Sequence, residues 1–183
     1  MILKAISKNP ALLKAAVYGA NDGIITTFAV VAGVAGAGLN AKVVLILGIA
    51  NMIADGLSMG LGDFLGERSE RKLKAHQKDK DDCECKNAWH TGLITFVAFV
   101  IAGTFPLIPY LLQMVNICSL CFADQFKLSI IFTALILFAV GSLRTLLTKG
   151  SWIKNGLEML GIGAIAAVVA YGLGMWVESM VSG

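Results

Sequence analysis

Charged side chains are scarce here: Asp, Glu, Lys and Arg make up 15% of 183 residues, against 57% apolar residues and a mean hydropathy of +0.77. One soluble core of that length could not hide so much apolar surface, which excludes an ordinary water-soluble domain and places the chain in a bilayer. Long polar stretches are lacking as well, and the one present, Glu67 to Lys86, is too short to fold as a domain. No nucleophile stands at a recognisable spacing from a base, and there is no phosphate-binding glycine loop or zinc-hydrolase motif, so an enzyme is not expected.

What the chain does have is five apolar segments, at about 15–39, 43–66, 88–114, 126–147 and 157–179, each able to supply the roughly 20 residues a spanning helix needs. They predict an all-α polytopic membrane protein: one five-helix domain over 1–183 with a loop at 67–87. Lys4, Lys8 and Lys14 before the first segment, and Ala35, Gly36 and Ala37 within it, imitate a cleaved signal. The apolar run is too long for one and contains Asp22, so the segment is read as retained. Residues 1–14 alternate basic and apolar positions, as an interfacial helix or a frayed tail would.

Basic residues near span ends favour the cytoplasmic side. With the N-terminus inside, Lys4, Lys8, Lys14, Arg68, Arg71, Lys72, Lys74, Lys78, Lys80, Lys86, Arg144, Lys149 and Lys154 are cytoplasmic, and only Lys42 and Lys127 lie outside. An odd number of spans then sends the C-terminus out. The formal net charge of +3 is thus a topology signal rather than a nucleic-acid patch, and membrane lipid, not nucleic acid, is the expected surrounding.

Spans one and two are joined only by Leu39 to Lys42, a tight antiparallel hairpin, and span two is expected to extend as an exposed helix into the polar loop. Gly19 and Gly23, Gly56 and Gly60, and Gly62 and Gly66 are each four apart, which predicts close packing of spans one and two. Pro106 and Pro109 are placed to break span three near its outer end.

Ionisable groups inside a span are expensive, so each is a functional candidate. Asp55, Met59 and Asp63 are four apart and share one face of span two, with Glu67 continuing the line toward the cytoplasm. Asp22 in span one and Met59 in span two both fall about seven residues, or roughly 10 Å, from the cytoplasmic edge, so a hairpin can bring them together. A carboxylate offers a hard oxygen, and a thioether is soft and ignores magnesium and calcium, so the pair favours a borderline ion such as Fe2+. Met59 as a packing residue and Asp22 as part of an Asn-Asp-Gly turn are the plainer readings. Further ligands would come from Asn21, Ser58, backbone carbonyls, water or a second subunit.

In the polar loop, His76, Asp79, Asp81, Asp82, Cys83, Glu84, Cys85 and His90 form a small candidate metal-recruiting loop, with a solvated charge run as the alternative. Cys118 and Cys121 in the outer loop are candidates for a disulfide, for a metal site, or for two inert thiols.

The segments Gly19-Ala20-Asn21-Asp22-Gly23-Ile24-Ile25-Thr26-Thr27 and Ala54-Asp55-Gly56-Leu57-Ser58-Met59-Gly60-Leu61-Gly62-Asp63-Phe64 resemble the first-span and second-span signatures of the vacuolar iron transporter family, which includes the nodulin-like proteins. Pro106-Leu107-Ile108-Pro109-Tyr110 is similar to its third span, and Gly156 to Gly163 with Ala166 to Gly172 to its fifth. The resemblance implies a homodimer that moves Fe2+, and sometimes Mn2+, out of the cytosol as a proton antiporter in iron homeostasis. It places the family's membrane aspartate on Asp22 and its membrane methionine on Met59. Two features depart from the pattern. Asp63 stands where the family usually has glutamate, and the glutamate-rich domain of longer members shrinks to about twenty residues, so that domain's ligands do not transfer.

The expected cycle has cytoplasmic metal displacing protons from Asp22 and the acidic row, with incoming protons later releasing it. The rival readings are a passive divalent-cation channel and a membrane-embedded metal sensor or scaffold. A chain this short points to a prokaryotic plasma membrane, with a vacuolar or other organellar membrane as the alternative.

Overall fold

A computed structural model describes residues 10–78, 86–114, 125–145 and 150–183. Among these residues all regular structure is helical, and five helical segments are long and apolar enough to cross a membrane, so the chain is an integral membrane protein. The first two spans are α1 (Pro10–Gly36) and α2 (Ala41–Lys78). The third is α3 (Lys86–Gly103), a 3-10 turn (Phe105–Leu107) and α4 (Ile108–Met114), and the fourth and fifth are α5 (Gln125–Leu143) and α6 (Trp152–Val181). Several helices outrun the expected spans: α2 continues to Lys78 as the anticipated polar extension, and α6 starts at Trp152 rather than near 157 because extended Ser151 (ψ 125°) marks its start.

Local chemistry sets the first hairpin. Pro10 opens α1, where its missing N–H goes unneeded. At the far end Gly38 takes φ +66°, a left-handed conformation suited to glycine, while the Leu39 and Gly38 amides donate to the carbonyls of Val34 (3.1 Å) and Ala35 (3.1 Å). Asn40 then starts α2, its Oδ1 accepting from the amides of Lys42 (3.1 Å) and Val43 (3.2 Å). Asn40→Ala is therefore expected to remove about 1 kcal/mol of stability, read as an earlier unfolding midpoint in detergent with no change in helix content.

The break in the third span is where the prolines predicted it. Ile108 N–H bonds to the Phe105 carbonyl, and the Pro106 carbonyl accepts from the buried Ser129 hydroxyl of α5 (2.6 Å), so neighbours satisfy the interrupted backbone.

Helix packing corrects one expectation. The glycines of spans one and two do not chiefly bring those spans onto each other; both sets pack on α3. A Cβ on Gly19 would lie 3.1 Å from the Thr95 Cα, and one on Gly23 would lie 2.9 Å from the Phe99 Cα. On the opposite side of α3, Gly60 faces the backbone of Gly92, and Gly56 faces the rings of Phe96 and Phe99. Small residues favour close approach but do not specify a partner, and here α3 presents the matching backbone. On its other side α1 meets α6 at Gly36, Gly33 and Gly174, and α6 meets α5 at Gly141 and Gly156. Along these closest approaches the bundle runs α2, α3, α1, α6, α5, and α1 also touches α2 and α5 directly. A Cβ on Gly62 or Gly66, the remaining pair, would meet no described residue within 4 Å.

Candidate ion pathway

Because α2 is unbroken, Asp55, Met59, Asp63 and Glu67 do share one face, and all four are half-buried. They lie between two stripes. On one side Met52, Gly56 and Gly60 are buried toward α3; on the other Ala54, Ser58, Gly62 and Gly66 are uncovered. The acidic row thus forms the margin of an open face of α2.

Each carboxylate of the row has a donor. Asn51 Nδ2, one turn earlier, donates to Asp55 Oδ2 at 3.0 Å. The buried Thr95 hydroxyl of α3 donates to Asp63 Oδ2, tying the row to the central helix. Arg71 grips Glu67 Oε1 through Nη2 (2.7 Å) and Nε (3.0 Å). These bonds orient the oxygens and leave each carboxylate further lone pairs for a cation.

Asp22 is half-buried on α1, one residue before the Gly23 contact with α3, and its backbone carbonyl accepts from Thr26 Oγ1 (2.8 Å). Its carboxylate lies within electrostatic range of Asp55 across the bundle. Two nearby carboxylates repel, and a proton or a cation between them would relieve that repulsion.

At the lysine-rich end an open recess of about 480 Å³ separates α1 from α2. Lys14 and Tyr18 of α1, Asp63, Glu67 and Glu70 of α2 and Thr91 of α3 line it. The recess gives solvent a way to the lower half of the row. Glu70 escaped the sequence reading, although its spacing of three from Glu67 and seven from Asp63 puts it on the same face. Thr95 carried no such signal, because its bond to Asp63 joins two helices.

The other candidates lie elsewhere. Ser58 is on the uncovered face of α2, and Asn21 lines a separate groove toward α5 and α6. His90 is exposed near the start of α3, and His76 falls in the polar extension of α2. Asp79, Asp81, Asp82, Cys83, Glu84 and Cys85, like Cys118 and Cys121, lie outside the described residues. Among the described residues no three His, Cys, Asp or Glu side chains gather as a metal-holding cluster.

The VIT family model matches residues 13–87 and 73–175, which together take in all five spans. The chain belongs to the VIT family. A vacuolar iron transporter of Toxoplasma gondii is 40% identical over 75 residues, covering 41% of this chain and 25% of that protein. Vacuolar iron transporter 1 of Eucalyptus grandis is 27% identical over 218 residues, covering 89% of this chain and 85% of its own length. Vacuolar iron transporter homolog 2 of Arabidopsis thaliana is 26% identical over 176 residues, covering 91% of this chain and 85% of its own. The alignment with the Eucalyptus member is longer than the 183 residues of this chain, so that VIT protein carries residues within the aligned region that this one lacks.

Proposed function

We propose that this VIT-family chain is a transporter that moves Fe2+, and also Mn2+, out of the cytosol in exchange for protons. The observation that carries the reading is the acidic row: Glu67, Asp63, Met59 and Asp55 run from the recess toward Asp22 through a length of α2 in which Ser58 is the other polar side chain. The names of the relatives support iron as the cargo. Metal and proton compete for the same carboxylate oxygens, which is the basis for exchange, and the Met59 thioether favours a transition ion over magnesium.

Lysine and arginine placement supports a cytoplasmic recess, which makes it the loading side. For the membrane itself, the short polar loop favours a prokaryotic plasma membrane, while the names of the relatives place those proteins in the vacuole. The uncovered small-residue face of α2 supports a homodimer in which a second copy closes the path beside the row. Gly62→Trp should then convert a dimer in mild detergent to a monomer with intact helix content, since a Cβ there meets no described residue within 4 Å. An unchanged dimer would remove this face as the interface.

The deciding measurement is Fe2+ accumulation in proteoliposomes with and without an inside-acid gradient. Accumulation that rises with the gradient as internal protons leave supports exchange. Flux indifferent to the gradient makes the protein a channel, and metal binding without flux makes it a sensor.

A further inference from the structure

On the side of α1 away from the acidic row, a groove of about 310 Å³ opens between α1, the end of α5 and the start of α6. Lys14 and Arg144 supply its charge, Val17, Met159 and Ile162 supply an apolar wall, and Tyr18 and Asn21 are its neutral polar side chains. Lys14 stands one turn into α1 and Arg144 directly follows α5, so both cations sit at the same end of the bundle. Exposed Trp152 at the first residue of α6 is the kind of side chain that marks the membrane–water boundary there. Ile162 is ten residues beyond Trp152 along α6, about 15 Å deeper. The groove therefore changes from cationic at its mouth to mainly apolar deeper in, where Asn21 is the polar side chain on the α1 side.

We infer that this groove binds an anionic phospholipid, with the phosphate between Lys14 and Arg144 and an acyl chain along Val17, Met159 and Ile162. Charge complementarity selects the headgroup, and the apolar wall selects a lipid over a free anion. Arg144 reaches Glu158 at 3.5 Å, but with the two side chains 36% and 54% exposed this pair is weak enough for a phosphate to compete with it. Lys14 and Tyr18 also line the acidic recess, so these two side chains of α1 border both cavities.

The test uses the full-length chain in neutral detergent, titrated with dioleoylphosphatidylglycerol or dioleoylphosphatidylcholine, and counts retained lipid by native mass spectrometry. It reads binding alone and so stands or falls apart from the transport reading. The anionic lipid should be retained on the order of tenfold more than the zwitterionic one, and K14Q/R144Q should erase that preference. Ile162→Trp should remove retention by filling the wall while both cations stay. Equal retention of the two lipids, a preference that survives K14Q/R144Q, or retention that survives Ile162→Trp would overturn the assignment. So would inorganic phosphate at millimolar concentration displacing the lipid completely, which would make the site one for a simple anion.

Discussion

Asp22→Ala is expected to reduce proton-driven Fe2+ accumulation by roughly a hundredfold or more while leaving the fold intact. Loss of a residue that merely orients a metal ligand commonly lowers affinity 10- to 100-fold, so loss of a ligand carboxylate should do at least as much. The change does more than delete an oxygen. Asp22 and Asp55 lie within range to repel one another, and a cation between them relieves that repulsion. On the proposed reading, removing Asp22 would take away both a ligand and one of the two facing charges that draw the ion in. Asp22→Asn keeps the size and separates these effects: transport that survives in Asn but not in Ala would mean that shape, not charge, is required. Direction with pH follows from competition for the oxygens. Acidifying the loading side protonates the carboxylates and lowers uptake, while acidifying the release side speeds it. Undiminished flux in Asp22→Ala would remove Asp22 from the path.

Gly23→Val should have the largest structural effect of any single change proposed for this chain. A side chain there meets backbone, with the Phe99 Cα and carbonyl carbon 2.9 Å from the new Cβ, so no rotamer change relieves the clash and α1 must move off α3. The cost should reach about 3 kcal/mol or more, seen as loss of folded protein after detergent extraction. Gly62→Val is the control: the same substitution on a membrane helix, where a Cβ would meet no described residue within 4 Å. It should leave the monomer's melting behaviour within about 0.5 kcal/mol of wild type. Equal damage by the two changes would mean that the α1–α3 contact does not carry the fold.

Much of the site was legible in advance because it follows from helical geometry alone. Residues four apart must share a face, so Asp55, Met59, Asp63 and Glu67 could be aligned from their numbers, and the same rule would have added Glu70. The Thr95 bond to Asp63 could not be read that way. It depends on which helix lies against α2 and at what height, and no spacing within either helix encodes that.

The sequence by itself determined membrane location, the five spans, the tight connection between the first two, the proline break in the third and the acidic row. Each is a local matter, settled by hydrophobic length, backbone stereochemistry or the 3.6-residue repeat. Only the tertiary structure decided that α3 packs against both α2 and α1, that Gly19 and Gly23 close onto it, and that Lys14 borders both an acidic recess and a cationic groove. Small residues permit close packing against any partner whose backbone fits, so the choice among helices is made by the whole bundle at once.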